Sequence, residues 1–244
     1  MKYLELFEIV KKQSHEMFET QGKNIEIAAE AMANTIAKDG LIHVFGCGHS
    51  QMFAQEMFYR AGGLVPVNAL LIPHLSLNPV AKLSTLLERT EGFVETYLDL
   101  EYTTSNDTMI IVSISGRNGA VVDMALAAKK KNMTVIALTS EKFSLQVPSR
   151  HSSNKRLMDV ADIVIDINCE FGDAALSMEG LEHKFVGTST ILGMMVIEGM
   201  VAQTIENLVK ANIHPPIWVS SNTEEGDEIN KVHINNYKDK ISCL

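Results

Sequence analysis

The sequence predicts an α/β protein in which one parallel β-sheet is covered by helices on both faces. Five short runs rich in Val, Ile and Leu alternate with segments of helical periodicity. Parallel neighbours need crossover connections, which are usually helices and right-handed. The 244 residues show no internal repeat and no low-complexity linker, so we expect one sheet domain rather than two independent ones.

Two helices are predicted before the first strand. Residues 2–20 place apolar side chains at three- to four-residue spacing, and residues 24–39 are rich in Ala. Gly22 is expected to separate the two helices, and Gly40 is expected at the C′ position of the second. The chain then divides into a helical arm of the same domain, a sheet domain and an irregular acidic tail: 1–40, 41–214 and 215–244.

The remaining elements follow from apolar runs bounded by turn residues. The predicted strands are 41–45, 64–68, 109–114, 134–138 and 163–167. The predicted helices are 50–61, 80–88, 91–100, 120–131, a short one at 154–160 and a long one from about 180 to 211.

Composition and charge exclude several classes of protein. The chain has 30 acidic against 21 basic residues and no Lys/Arg cluster, which argues against a nucleic-acid partner. The most apolar stretch, 191–202, contains Glu198 and is too short to span a membrane. Three cysteines lie far apart and fit neither a disulfide framework nor zinc-ligand spacing, so we expect a reducing, cytoplasmic location.

Small and hydroxyl-bearing residues follow three of the predicted strands, where open α/β sheets bind ligands. They are Gly46, Gly48, His49 and Ser50; Ser113, Ser115, Gly116 and Asn118; and Thr139 and Ser140. Glycine lets the backbone approach a ligand closely, and free N–H groups at a helix start attract anions. Together these loops predict a site for one phosphate group that needs no Lys.

Each loop taken alone has a simpler interpretation. A Gly-x-Gly sequence after a strand also occurs in tight turns, and Gln51 stands where a complete dinucleotide-binding fingerprint requires Gly. Ser50, Ser115 and Asn118 are also ordinary helix-capping residues. The phosphate interpretation depends on the sheet bringing the three strand ends together.

Two of these loops resemble the signature loops of the sugar isomerase (SIS) domain family: GCGHS at 46–50 and SISGRN at 113–118. The resemblance extends over nearly the whole chain, through IALTS at 136–140. It is strongest with the single-domain branch labelled phosphoheptose isomerase, through FYRAGG at 58–63 and Gly-Asp-Ala at 172–174.

The resemblance implies a three-layer αβα sandwich with a five-stranded, parallel, flavodoxin-like sheet. It also implies a phosphorylated sugar as ligand and a homodimer or homotetramer with sites near the subunit interface. The phosphate would be held by Ser50, Ser113, Ser115 and Asn118. The family pattern has Ser or Thr where this chain has Asn118, which can still donate a hydrogen bond.

Aldose–ketose isomerisation needs a base near C2 and an acid that relays protons between oxygens. Glu56 follows Ser50 by about one and a half helical turns, roughly 9 Å, which matches the span of a small phosphosugar. The resemblance favours a carboxylate from this helix. The alternative is an exposed charge that pairs with Arg60 at i+4.

A second set of candidates, Glu182 and His183, is predicted at the start of the last long helix, together with Glu179. Histidine is the natural proton shuttle near neutral pH, and the resemblance implies a His from this region, sometimes across a subunit interface. The alternative is a solvated first turn, where acidic residues are favoured by the helix dipole.

Several further residues have both a functional and a structural interpretation. Glu88, Arg89 and Glu91 could reach the ligand or form a solvated face, and Arg117 could contact phosphate or a partner subunit. Residues 172–173 could order a loop over the sugar or form a turn. No pattern of metal-ligand spacing is present, so neither a metal nor another cofactor is expected.

Three functions remain open at this point. The leading one is a cytoplasmic sugar-phosphate isomerase that acts through an enediol. The second is a lyase that releases lactate from a lactyl-ether aminosugar phosphate, and the third is a non-catalytic phosphosugar-binding protein that regulates a protein partner. Resemblance at the level of a domain does not choose among these.

Overall fold

A computed structural model describes all residues, 1–244, and contains the predicted parallel sheet. Its strands are β1 (Ile42–Gly46), β2 (Val67–Leu70), β3 (Thr108–Val112), β4 (Thr134–Thr139) and β5 (Ile163–Asp166). They lie in the order β2-β1-β3-β4-β5, and every neighbouring pair is parallel. The carboxyl ends of β1 and β3 are therefore adjacent at the centre of the sheet.

Helices cover both faces of this sheet, as predicted. They are α1 (Lys2–Ala37), α2 (Gln51–Met57), α3 (Ala81–Leu87), α4 (Val94–Asp99), α5 (Gly119–Lys130), α6 (Glu141–Ser144), α7 (Ser189–Lys210) and α8 (Gly226–Tyr237). One apolar core joins the sheet to α1, α2 and α7 through residues such as Met32, Phe53 and Val196. The other joins it to α4 and α5 through residues such as Leu98 and Val122.

The predicted break at Gly22 is wrong, because α1 is one continuous helix. A glycine inside a helix costs only about 1 kcal/mol relative to alanine. Met17 and Ile25, on either side of Gly22, are both buried in the same core. Burying one large apolar side chain contributes about 1.5–3 kcal/mol, so packing on the sheet and α7 outweighs the glycine.

The end of α1 also differs from the expectation. The left-handed residue is Asp39, with φ 59°, rather than Gly40. The N–H of Gly40 donates to the carbonyl of Thr35 at 2.9 Å, and the N–H of Asp39 donates to Ile36 at 3.1 Å. This is the Schellman arrangement, with Asp39 in the place where glycine is usual.

The last long helix begins at Ser189, not near residue 180. The segment before it forms an antiparallel hairpin of β6 (Ala174–Leu176) and β7 (Phe185–Gly187). Glu179, Glu182 and His183 therefore lie in the exposed connection of this hairpin, and their predicted place in a first helical turn is wrong. The polar connection can turn at Gly180, whose φ is 85°.

The tail is more ordered than predicted. Leu64 forms an isolated antiparallel bridge with Ile217, and Trp218, which follows it, is buried. Helix α8 then begins with Asp227 and Glu228 in its first turn, where the helix dipole favours negative charge. None of the helices combines the length and the apolar character needed to cross a membrane.

Candidate functional site

Two adjoining cavities lie at the carboxyl ends of β1 and β3. The smaller cavity, of about 200 Å³, is lined by Cys47, Ser50, Glu88, Val112, Ser113, Ile114, Ser115, Asn118, Val121 and Phe143. The larger cavity, of about 390 Å³, is lined by His49, Ser50, Phe53, Ile114, Asp173, Gly187, Ser189 and Thr190. Ser50 and Ile114 line both, so the two cavities are neighbours.

The smaller cavity has the donors of an anion site. Its wall carries the hydroxyls of Ser50, Ser113 and Ser115. The backbone N–H groups of Ser115, Arg117 and Asn118 have no hydrogen-bond partner within the protein. Hydroxyls and unpaired N–H groups are suited to the oxygens of a phosphate.

The backbone of both loops is shaped by glycine. Gly48 and Gly116 adopt left-handed conformations, with φ of 59° and 58°. Gly46 ends β1 directly behind the backbone of Ser50. These glycines turn the chain so that the following hydroxyls reach the cavity.

Asn118 lies on the cavity wall with its side chain held in place. Its Nδ2 donates to Glu88 Oε1 at 3.0 Å, and its Oδ1 accepts from Arg150 Nη1 at 3.0 Å. The amide thus links the loop at 113–118 to the C-terminal end of α3 and to the loop that carries Arg150. One N–H of the amide and its oxygen are used in this way, so the second N–H is the one that can face a ligand.

Thr139 and Ser140 are fully buried and line neither cavity. The Thr139 hydroxyl donates to the carbonyl of Ile114 at 3.1 Å. The Ser140 hydroxyl donates to the carbonyl of Cys169 at 3.1 Å and accepts from the N–H of Phe143. The structure therefore places both hydroxyls behind the loops, where they brace the cavity wall.

The larger cavity brings an imidazole and a carboxylate together with hydroxyls. His49 is exposed at its wall. Asp173 Oδ1 accepts from the N–H groups of Thr188 (3.0 Å) and Ser189 (2.8 Å), and its Oδ2 accepts from the Ser189 hydroxyl at 2.7 Å. The carboxylate thus fixes the start of α7 at the cavity, from 16 residues away along the chain.

We expect Asp173→Asn to lower the free energy of unfolding by about 1 kcal/mol. The amide oxygen can still cap the helix, but the charge that favours the helix N-terminus is lost, and so is the acceptor for the Ser189 hydroxyl. For a chain of this size the melting temperature should fall by about 2–4 °C. Thermal unfolding measures this, with Asp239→Asn on the exposed tail as control; equal melting temperatures for both variants would contradict the capping role.

The candidate acids and bases lie apart from the phosphate residues. Glu56 forms an ion pair with Arg60, which also contacts Glu198 at 3.0 Å. Glu56 is not on the wall of either cavity, and neither are Glu182 and His183. The structure thus gathers Ser50, Ser113, Ser115 and Asn118 on the wall of the smaller cavity and leaves the three catalytic candidates outside both cavities.

Glu88 is the carboxyl group on the wall of the smaller cavity. Burial raises the pKa of Glu88 above its ordinary value, and the charges of Arg89 and Arg150 oppose this only in part. Burial, with a smaller contribution from Glu88, also raises the pKa of the Cys47 thiol. Cys47 therefore stays protonated near neutral pH, unlike the thiolates of reactive cysteines.

One group of residues has side chains that could hold a metal ion: Glu91, Asp123 and His151. His151 Nε2 lies 2.9 Å from Asp123 Oδ1 and 3.5 Å from Glu91 Oε2. The group is already satisfied by hydrogen bonds, because Asp123 Oδ2 accepts from Gly92 N–H and both Glu91 oxygens accept from Ser152. It ties the loops that carry Glu91 and His151 to helix α5, which spacing along the sequence did not reveal.

Comparison with known proteins shows the family of the chain. The SIS domain family matches residues 5–140. A UPF0309 protein of Thermoanaerobacter pseudethanolicus is 42% identical over 99% of both chains. Another from Geobacillus thermodenitrificans is 40% identical over 91% of this chain and 89% of its own. The chain therefore belongs to the SIS domain family and, within it, to the group of UPF0309 proteins.

Solved structures show the same fold. A phosphoheptose isomerase from Neisseria gonorrhoeae superimposes with a TM-score of 0.56 at 18% identity, covering 84% of this chain and 97% of its own. One from Francisella tularensis gives a TM-score of 0.54 at 16% identity, with the same coverage. At these identities the likeness extends to the fold alone.

Proposed function

We propose that this protein is a sugar-phosphate isomerase that interconverts an aldose and a ketose. The observation that carries the proposal is the pair of adjoining cavities, one lined by hydroxyls and unpaired N–H groups and the other by an imidazole and further hydroxyls. Membership of the SIS domain family and the shared fold with two phosphoheptose isomerases support the proposal.

In the proposed mechanism the phosphate occupies the smaller cavity and the sugar extends past Ser50 into the larger one. A base removes the proton from C2 of the aldose, the electron pair forms the C1=C2 bond of the enediol, and O1 gains a proton. Return of a proton to C1 and loss of the O2 proton give the ketose. His49, the imidazole on the wall, is suited to relay the proton between O1 and O2.

The roles of Glu56, Glu182 and His183 stay proposals within this mechanism. Glu56 would have to part from Arg60 before it could take the C2 proton. His183 lies on the exposed hairpin connection, so it would act on the cavity of a neighbouring subunit.

We propose a homodimer or homotetramer in the cytoplasm. Large apolar side chains are exposed on α1, at Tyr3, Leu4 and Phe7, and near His183 at Leu181. An interface that covers them would bring the hairpin to a neighbouring copy. Free thiols at Cys47, Cys169 and Cys243 support a reducing compartment.

The test is exchange of the C2 hydrogen of aldose phosphates, and of the C1 hydrogen of ketose phosphates, in D₂O. We expect exchange with at least one member of a panel, and a loss of about a hundredfold or more in His49→Gln, the range of general acid–base catalysis. His15→Gln, on the exposed surface of α1, is the matched control. Binding without exchange would indicate a phosphosugar-binding regulator, and release of lactate would indicate a lyase.

A further inference from the structure

Three arginines adjoin residues that line the smaller cavity and have no acidic partner. Arg89 follows the cavity residue Glu88, Arg117 lies within the phosphate loop, and Arg150 touches that loop. None of the three forms an ion pair within 4.0 Å, although the chain has a net charge of −9. In a chain with an excess of carboxylates, a cluster of unpaired arginines needs an explanation.

Backbone and side-chain contacts bring the cluster together. The N–H of Arg150 donates to the carbonyl of Arg117 at 2.8 Å, and Arg150 Nη1 donates to Asn118 Oδ1 at 3.0 Å. Nε of Arg117 is buried and has no hydrogen-bond partner. An unsatisfied buried donor costs about 1–3 kcal/mol, so this guanidinium is in a position that an anion would stabilise.

The acidic groups nearby do not neutralise the cluster. Glu91 and Asp123 are occupied by Ser152, Gly92 and His151. Glu88 is the remaining carboxyl, and burial disfavours its charged form. Burial, followed by repulsion from Arg150 and Arg89, lowers the pKa of Arg117, which agrees with uncompensated positive charge at this place.

We propose that Arg89, Arg117 and Arg150 form a second anion subsite beside the smaller cavity. The ligand is then a phosphorylated sugar that carries a second phosphoryl or carboxylate group next to its phosphate. The inference rests on the proposed function, in that the first phosphate takes the hydroxyl-lined cavity. Guanidinium groups match the paired oxygens of phosphate and carboxylate, whereas the cavity itself offers neutral donors for one phosphate.

Calorimetric titration at fixed ionic strength tests the subsite with inorganic phosphate, pyrophosphate and 2-phosphoglycolate. Pyrophosphate carries a second phosphoryl group, and phosphoglycolate carries a carboxylate. We expect at least one of the two to bind about tenfold or more tightly than phosphate. The stronger of the two identifies the second group.

Variants distinguish the contribution of the arginine subsite to binding from that of the smaller cavity. Arg89→Gln, at an exposed side chain, should remove the tenfold gain while leaving phosphate binding within about twofold. Arg117→Gln should also remove the gain. Arg156→Gln, an arginine outside the cluster, should keep the gain. Ser115→Ala should weaken all three ligands alike. Thermal unfolding confirms that each variant is folded.

Two results would overturn the inference in different ways. If the doubly anionic probes bind no more tightly than phosphate, or if the gain survives in both Arg89→Gln and Arg117→Gln, the subsite is wrong and the proposed function stands. If no probe and no sugar phosphate binds to the wild-type protein, the phosphate cavity itself is wrong, and the proposed function fails together with the subsite.

Discussion

Gly46→Ala is expected to weaken phosphate binding in the smaller cavity about a hundredfold and to destabilise the fold. A Cβ at residue 46 would lie 2.5 Å from the carbonyl oxygen of Ser50 and 2.7 Å from its Cβ. Gly46 ends β1, which is held between β2 and β3, so the strand cannot yield and the loop with Ser50 must move. Such overpacking costs typically about 1–3 kcal/mol.

Binding should suffer more than stability, because Ser50 lines both cavities. A displacement that costs about 2.8 kcal/mol of binding free energy lowers the affinity for phosphate a hundredfold. Calorimetric titration with phosphate and thermal unfolding measure the two effects.

Gly22→Ala is the matched control for this substitution. A Cβ at residue 22 meets nothing within 4 Å, and the residue lies inside α1. Alanine there should stabilise the protein by about 0.5–1 kcal/mol and leave phosphate binding unchanged. If Gly46→Ala bound phosphate as well as Gly22→Ala, the close approach at Ser50 would not shape the site.

The sheet and the position of the two candidate loops at its centre could be predicted because their signals are local. The sequence of a strand that is buried on both faces is a short run rich in Val, Ile and Leu, and the sequences of β3 and β4 are such runs. Ser50 and Ser115 lie shortly after strands β1 and β3, and the parallel arrangement brings these strand ends together. Neither inference needs knowledge of distant contacts.

The elements that could not be predicted depend on contacts between distant residues. The sequence pattern predicts that α1 is interrupted at Gly22. The helix is continuous because its apolar side chains on both sides of Gly22 pack on the sheet and α7. The start of α7 is set by the carboxylate of Asp173, on the far side of the hairpin. The partly buried hydrogen bond between His151 and Asp123 joins positions 28 residues apart, for which no sequence spacing is diagnostic.

Glu88→Gln is expected to change how phosphate binding depends on pH. Burial raises the pKa of Glu88, and an anion in the same cavity raises it further. In the pH range where Glu88 is ionised in the free protein, phosphate binding is therefore coupled to protonation of Glu88. The affinity of the wild-type protein relative to the variant should fall as pH rises, by at most about tenfold per pH unit for one proton.

The ratio of the two dissociation constants isolates Glu88, because the ionisation of phosphate itself affects both proteins equally. Glutamine keeps an Oε1 that accepts from Asn118 Nδ2, so the loop contact survives. Glu95→Gln, which removes an exposed carboxylate paired with Lys130, is the control and should follow the wild type. A ratio that does not vary between pH 5 and 8 would exclude Glu88 from the phosphate cavity.

Stability gives a second, independent readout of the same group. A carboxyl whose pKa is raised in the folded state binds its proton more tightly there than in the unfolded chain. The free energy of unfolding therefore falls as pH rises from the ordinary Glu value through the raised pKa of Glu88, and levels off above it. Glu88→Gln removes this loss of stability. The melting temperature of the variant minus that of the wild type should therefore be larger at pH 8 than at pH 4. If the charges of Arg89 and Arg150 outweighed burial and lowered the pKa of Glu88, the order would be the opposite, because the variant would then lose a favourable charge at pH 8.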